Sequence, residues 1–144
     1  MQLRHLHRAS ALVLIAFAFI HVGNHLLALK GVPTHLAVMN GLRSVYRLPA
    51  VEVVLMGCVI VQVASCLALV LRGWKKRTGR VAWLQALSGA YLAAFLVIHV
   101  AAVLYGRSAL GLDTNFYFAA AGLHVSPYQW FFGPYYALAV FALF

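Results

Sequence analysis

Two histidines stand at equivalent positions in two apolar segments of this sequence. The residues that repeat are Ser10, Phe17 and His21 in the first segment and Ser88, Phe95 and His99 in the second. In both segments Ser precedes Phe by seven residues and His by eleven. Both separations are close to whole helical turns, so each set shares one helix face. Ionisable residues within apolar helices are costly and usually functional.

The depth of the two histidines can be estimated from their distance to the ends of the apolar segments. His21 lies eight residues before Leu29 and His99 seven before Gly106, which places them about 12 and about 10 Å from those ends. One segment separates these two, so they run parallel, and two imidazoles at matched depth can approach one iron from opposite sides. This arrangement predicts one b-type haem with His21 and His99 as axial ligands. Hydrogen bonding to nearby carbonyls, proton relay and binding of another metal remain alternatives, although zinc needs a third or fourth ligand.

Four other polar residues are candidates for the surroundings of the haem. His25 lies one turn further along the face of His21, and we interpret it as a haem propionate or quinone partner or as a plain interfacial histidine. Arg43 and Arg47 suit propionates, yet they also suit interfacial anchoring. Ser88, followed by glycine, permits close approach of a haem edge or of another helix.

The composition indicates that lipid is the solvent of this chain. Its 144 residues are 65% hydrophobic and 9% charged, with a mean hydropathy of +0.91. A soluble domain needs far more polar surface. The net charge of +9 does not indicate a nucleic-acid partner, because the basic residues cluster in short loops between apolar segments, as in membrane proteins.

We therefore expect an all-α integral membrane protein with about four spans in an up-down bundle, forming one domain over residues 1–144. The predicted spans are residues 9–29, 49–71, 81–106 and 128–144, each judged against the roughly 20 residues that a span requires. The first is too long for a signal peptide and is treated as retained. The last is still apolar at its final residue, which leaves open whether the natural chain continues.

The loops predict an interfacial helix and an orientation. An amphipathic stretch follows the first span, and Thr34 is its predicted N-cap. Arg4 and Arg8 flank span one, and residues 72–80 carry five positive charges two spans later, on the same side. The positive-inside rule places this side in the cytoplasm.

At several points the chain resembles the membrane-anchor cytochrome b family of succinate dehydrogenase and fumarate reductase. The residues that carry the resemblance are Arg4–Ser10 (RHLHRAS), His21, Leu48-Pro49 before Glu52, and Gln85–Gly89 (QALSG) leading to His99. The similarity covers spans one to three and the loops that join them.

The resemblance implies a subunit that anchors a flavoprotein and an iron–sulfur protein at the cytoplasmic face of a bacterial inner membrane. Such subunits pass electrons between succinate or fumarate and quinone. His21 and His99 match the pair that holds the haem farther from the cytoplasm. Arg8 and Ser10 match a stretch that contributes to quinone binding in some members. The chain is not a complete enzyme alone, because it contains no flavin or iron–sulfur motif.

The chain also departs from the family pattern. Where the family carries a histidine in span two, near residue 63, this chain has Gln62-Val63-Ala64, and Ala11 stands where many members have glycine. The second haem of the family therefore has no ligand here, and a single-haem variant is expected. The alternative is a haem-free structural subunit of a larger membrane complex.

Overall fold

The computed structural model describes residues 2–143, and 87% of the chain is helical. The described residues contain no strand. The described residues form six α-helices: α1 (Gln2–Leu26), α2 (Val32–Tyr46), α3 (Pro49–Gly73), α4 (Arg80–Ser108), α5 (Phe116–His124) and α6 (Gln129–Ala142). Short 3-10 turns extend α1 over Leu27–Lys30 and α3 over Trp74–Lys76.

Three helices are long and apolar enough to cross a membrane. With their 3-10 turns they cover Gln2–Lys30, Pro49–Lys76 and Arg80–Ser108, which confirms the first three predicted spans as helices. The fourth predicted span is not confirmed. Helix α6 has 14 residues, about 21 Å of rise, against a hydrocarbon core of about 30 Å.

The distribution of exposed side chains agrees with a lipid environment. Large apolar residues lie on the outside, as shown by Phe19 at 82% and Leu29 at 88% exposure. Several of the buried residues are polar or charged, among them Ser10, Asn24 and His35. In lipid this inversion is favourable, because the bilayer solvates apolar side chains whereas polar groups need partners inside the protein.

The chain divides into two compact units, Met1–Gln62 and Val63–Phe144. Unit 1 contains α1, α2 and the first part of α3. Its chain reverses at Gly31, whose φ of 118° favours glycine, and α2 then packs against α1. The prediction of an interfacial helix here is confirmed as a helix, but Thr34 as its N-cap is wrong. Helix α2 begins at Val32, because Gly31 turns the chain and Pro33 in the first turn already has helical φ.

Unit 2 contains the rest of α3 with α4, α5 and α6. Helix α6 packs against α4 and α5. The Tyr91 hydroxyl donates to the Tyr135 carbonyl (2.7 Å), and the Tyr135 hydroxyl donates to the Phe95 carbonyl (2.9 Å). The mostly uncharged connection after α4 contains α5, a helix that was not predicted from the sequence. Asn115 caps this helix by accepting a hydrogen bond from the Tyr117 amide at 2.8 Å.

Candidate functional site

In unit 1, His21 is held against an aromatic ring of its own helix. The imidazole is half-buried and stacks on Phe17, one turn earlier, with ring centroids 5.7 Å apart and planes inclined by 16°. Tyr46, the last residue of α2, meets the same phenylalanine edge-on at 5.6 Å. The aromatic neighbours therefore restrict the orientation of the His21 ring.

In unit 2, His99 has the same local arrangement. It is half-buried and stacks on Phe95 with centroids 5.4 Å apart and an interplanar angle of 11°. Tyr136 of α6 lies edge-on to His99 at 6.3 Å and to Phe95 at 5.9 Å. The hydroxyl of Tyr135 is bonded to the Phe95 carbonyl, which fixes the backbone of this helical turn to α6.

The sequence repeat is thus also a repeat of local structure. In both units the phenylalanine four residues earlier stacks on the histidine at nearly the same distance and angle. The pairing of His21 with His99 on one iron stays a prediction from the sequence, since the two residues belong to different units.

His25 belongs to a chain of histidines in unit 1. Its Nε2 atom lies 3.3 Å from Nε2 of His21, and a hydrogen bond between the two atoms needs a proton on one of them. The ring of His25 also lies 5.3 Å from that of His35. Because an iron ligand must present a free nitrogen lone pair, coordination of iron by His21 through Nε2 requires that its contact with His25 opens.

His35 is the fully buried member of this histidine chain. Its exposure is 0%, and the Asn24 side-chain amide donates to its Nε2 atom at 3.2 Å. The neutral ring therefore carries its proton on Nδ1. Burial and, secondarily, the charge of Arg43 lower the pKa of His35, so the ring is neutral at pH 7. The Oδ1 atom of Asn24 is buried and has no hydrogen-bond partner within residues 2–143.

The two predicted arginines lie at the end of α2. Arg43 is buried, at 9% exposure, eight residues after His35 on the same helix face. Arg47 is half-buried and ends the helix, with its amide donating to the Arg43 carbonyl at 3.0 Å. A buried guanidinium beside histidines provides several N–H donors that suit a carboxylate.

Ser10, a candidate for quinone binding, lies in a polar cluster with His7 and Gln62. Ser10 is buried, and its hydroxyl donates to the Gln62 Oε1 atom at 2.8 Å. The Gln62 amide in turn donates to His7 Nε2 at 3.3 Å. Gln62 lies next to the position where a span-two histidine was expected by family resemblance, and its hydrogen bonds join α1 to α3. Arg8 is exposed.

Ser88 bonds to its own helix. Its hydroxyl donates to the Gln85 carbonyl at 3.3 Å. The next residue, Gly89, accepts a hydrogen bond at its carbonyl from the Cys66 thiol, also at 3.3 Å. The Cys66 side chain of α3 therefore lies against the backbone of α4 at Gly89 within unit 2.

The possible metal ligands in the described residues can be compared with what a protein metal site needs, which is usually three or more side chains. Within the described part of the chain, no group of three or more histidine, cysteine, aspartate or glutamate side chains is placed to hold a metal ion. His21 in unit 1 and His99 in unit 2 are both half-buried, and each carries an imidazole, the side-chain group that serves as an axial haem ligand in many proteins.

Three residues of these sites were missed by the sequence analysis. His35 is absent from the predicted sites, although it shares a spacing of four with the other two buried residues of α2, Met39 and Arg43. That periodicity was a usable signal. Gln62 entered the prediction only because it lies next to the position where the family has a histidine. Tyr136 contacts His99, and no sequence pattern predicts that contact.

No protein-family model matches this chain, and neither the curated proteins nor the solved structures include a significant match.

Proposed function

We propose that this protein is a haem b-binding membrane-anchor and electron-transfer subunit of a respiratory complex like succinate dehydrogenase or fumarate reductase, and that it exchanges electrons with quinone. One observation carries the proposal: the repeated Ser–Phe–His spacing comes with two Phe–His stacks of nearly equal geometry. Placing a histidine in an apolar membrane helix costs free energy. Two copies with the same aromatic support favour a shared function, and the shared function best suited to them is ligation of one iron.

The roles of the protein residues follow from their chemistry. His21 and His99 would supply the two imidazoles, and Phe17 and Phe95 would hold the rings in orientation by stacking. A bound haem b would supply one-electron transfer. Arg43 and Arg47 would bind the haem propionates through charge-assisted hydrogen bonds. His25 contacts His21 and would be a polar neighbour of the bound haem.

A quinone site is proposed at the other end of α1. Ser10, Gln62 and His7 combine a hydroxyl, an amide and an imidazole within hydrogen-bond distance of one another. Such groups can donate to the oxygens of a quinone and accept from those of a quinol. Arg8, in the same turn and exposed, adds a positive charge that would favour a reduced, anionic quinone.

The membrane context of the proposal comes from the sequence. We infer four spans, with α6 in the fourth, in a bacterial inner membrane. The N-terminus and the basic turn at 72–80 would face the cytoplasm, in keeping with the positive-inside rule. A flavoprotein and an iron–sulfur protein would dock on that face, and without them the subunit catalyses no reaction.

The test is a reduced-minus-oxidised absorption spectrum of the purified protein, measured beside His21→Ala, His99→Ala and His124→Ala. Wild type and His124→Ala should show equal low-spin cytochrome b bands, because His124 is the last residue of α5 and belongs to neither Phe–His stack. Both ligand variants should lose those bands. Absence of the bands from wild type would refute haem binding, and a full low-spin signal in either ligand variant would refute the ligand assignment.

A haem-free structural subunit is the second candidate. Two observations favour it: His21 Nε2 already has a partner in His25, and Gln62 satisfies Ser10 and His7 without a cofactor. This candidate predicts a purified wild-type protein with no haem spectrum that still brings its partner subunits through purification.

A further inference from the structure

A strongly basic turn joins α3 to α4 in unit 2. Its five cationic residues are Arg72, Lys75, Lys76, Arg77 and Arg80, and residues 72–80 include no acid. The turn connects two membrane-spanning helices directly, so it lies at the level of the lipid headgroups. Its charge has no compensation nearby in the sequence, since the two acids of the whole chain are Glu52 and Asp113.

Arg77 is folded back into this turn. Its guanidinium lies over the ring of Trp83 at 5.5 Å, and Trp74 meets the same ring edge-on at 4.9 Å. A Cβ atom at Gly73 would lie only 2.9 Å from Arg77 Nη2, so a glycine leaves the space that the guanidinium fills. The Nη1 atom of Arg77 is buried, and within residues 2–143 it has no hydrogen-bond partner.

A buried N–H donor without an acceptor is unfavourable. The packing of Arg77 between Gly73 and Trp83 holds this donor in place although nothing in the described chain satisfies it. An anionic oxygen from outside the chain would satisfy it, and arginine binds phosphate oxygens especially well because of its planar, forked donors.

A shallow, open groove begins at the same point and continues onto the face of α4. It is lined by Gly79, Arg80, Trp83, Leu84 and Leu87. The last four are spaced so that they share one helix face. Leu84 is 66% and Leu87 54% exposed. The groove thus leads from a cationic end to an apolar end over about 10 Å of helix.

We propose that this groove binds an anionic phospholipid, with the headgroup phosphate at Arg77 and Arg80 and an acyl chain along Leu84 and Leu87. Charge complementarity selects an anionic headgroup over a zwitterionic one. The apolar half of the groove selects a lipid over free phosphate, which would leave the two leucines uncovered. Trp74 and Trp83 are residues typical of the membrane interface. An acidic protein surface would match the charge but not a groove that continues down a membrane-spanning helix.

The proposal is independent of haem binding, because every residue in it lies outside the Phe–His pairs and the polar clusters of unit 1. The cytochrome spectrum and the lipid assay can therefore fail separately.

The test uses the tryptophans of the site as the reporter. The chain has three tryptophans, and replacing Trp130 with phenylalanine leaves Trp74 and Trp83. This Trp130→Phe protein is titrated in detergent micelles with brominated phosphatidylglycerol or with brominated phosphatidylcholine, and tryptophan quenching reports binding. We expect phosphatidylglycerol to quench at lower mole fraction, and a large excess of inorganic phosphate not to displace it.

Variants with altered arginines locate the headgroup. In the Trp130→Phe background, Arg77→Gln and Arg80→Gln should each weaken phosphatidylglycerol binding about fivefold, from the effect of one basic residue near an anionic lipid. Lys30→Gln removes a cation from unit 1 and should leave the preference unchanged. Arg77→Lys keeps the charge and should weaken binding less than Arg77→Gln, which separates loss of charge from loss of fold.

Four results would overturn the proposal. Equal quenching by the two lipids would show that no anionic headgroup is selected. An equal loss in Lys30→Gln would show a general effect of net charge. Displacement of the lipid by inorganic phosphate, or loss of a co-purifying protein from Arg77→Gln with an unchanged lipid preference, would assign the surface to phosphate or to a protein instead.

Discussion

Replacing His35 with alanine should destabilise unit 1 more than any other single histidine substitution. The side chain is fully buried, accepts from the Asn24 amide and packs against the ring of His25. Alanine removes the acceptor of a buried amide, which costs about 1–3 kcal/mol, and the ring contact, which contributes about 0.5–1.5 kcal/mol. Hydrogen bonds in membrane proteins average about 0.6 kcal/mol, so we take the lower end of the first range and expect a total loss of about 1.5–2.5 kcal/mol.

The measurement is the free energy of unfolding on addition of SDS to the protein in mixed micelles, followed by circular dichroism. His35→Gln keeps an acceptor at similar reach and should recover about half of the loss. His5→Ala is the matched control, since His5 is exposed at the start of α1. An effect of His35→Ala below about 0.5 kcal/mol, the range of ordinary surface substitutions, would refute the view that this buried cluster holds α2 against α1.

Three further predictions concern pH and packing. The pKa of His35 is lower in the folded protein than in the unfolded chain, so the unfolded chain binds the proton first as the pH falls. The free energy of unfolding should therefore decrease below about pH 6.5. Thermal scans at several pH values should show this decrease in wild type and a smaller one in His35→Gln. Tyr135→Phe removes the hydroxyl that donates to the Phe95 carbonyl and should cost about 0.5–1.5 kcal/mol in the SDS assay; an unchanged protein would show that this bond does not hold α6. Gly122→Ala places a Cβ 2.9 Å from the Phe132 ring and should cost about 1–3 kcal/mol, whereas alanine at Gly133, which meets nothing within 4 Å, should not.

Local pattern was enough to predict the membrane helices but not their ends. The hydropathy of three segments predicted spans that the structure confirms as helices. Helix α1 begins at Gln2, seven residues before the predicted span, and its first residues, Gln2–Arg8, are mostly polar. Basic residues at a membrane surface are satisfied by water and lipid headgroups, so hydropathy marks where the apolar part begins and not where the helix does.

In the candidate sites, too, local sequence pattern predicted some residues and helix packing decided others. The equivalence of His21 and His99 was visible in the sequence, because each copy of the repeat lies within a single helix and its spacing follows the helical period. Gln62 and Tyr136 could not be found in that way. Gln62 bonds to residues more than fifty positions away, and Tyr136 reaches His99 from another helix. Contacts across such distances depend on how helices pack, and no local pattern encodes them.

By itself, the sequence determined that the chain is helical, that three segments are apolar enough to span a membrane, and that His21 and His99 occupy equivalent positions on their helices. Only the tertiary structure decided that α2 packs on α1 with His35 fully buried against Asn24, and that α6 packs against α4 at the turn of His99. The physical reason is that hydropathy and helical period act within one segment. The partner of a buried polar group is chosen by geometry once the segments pack.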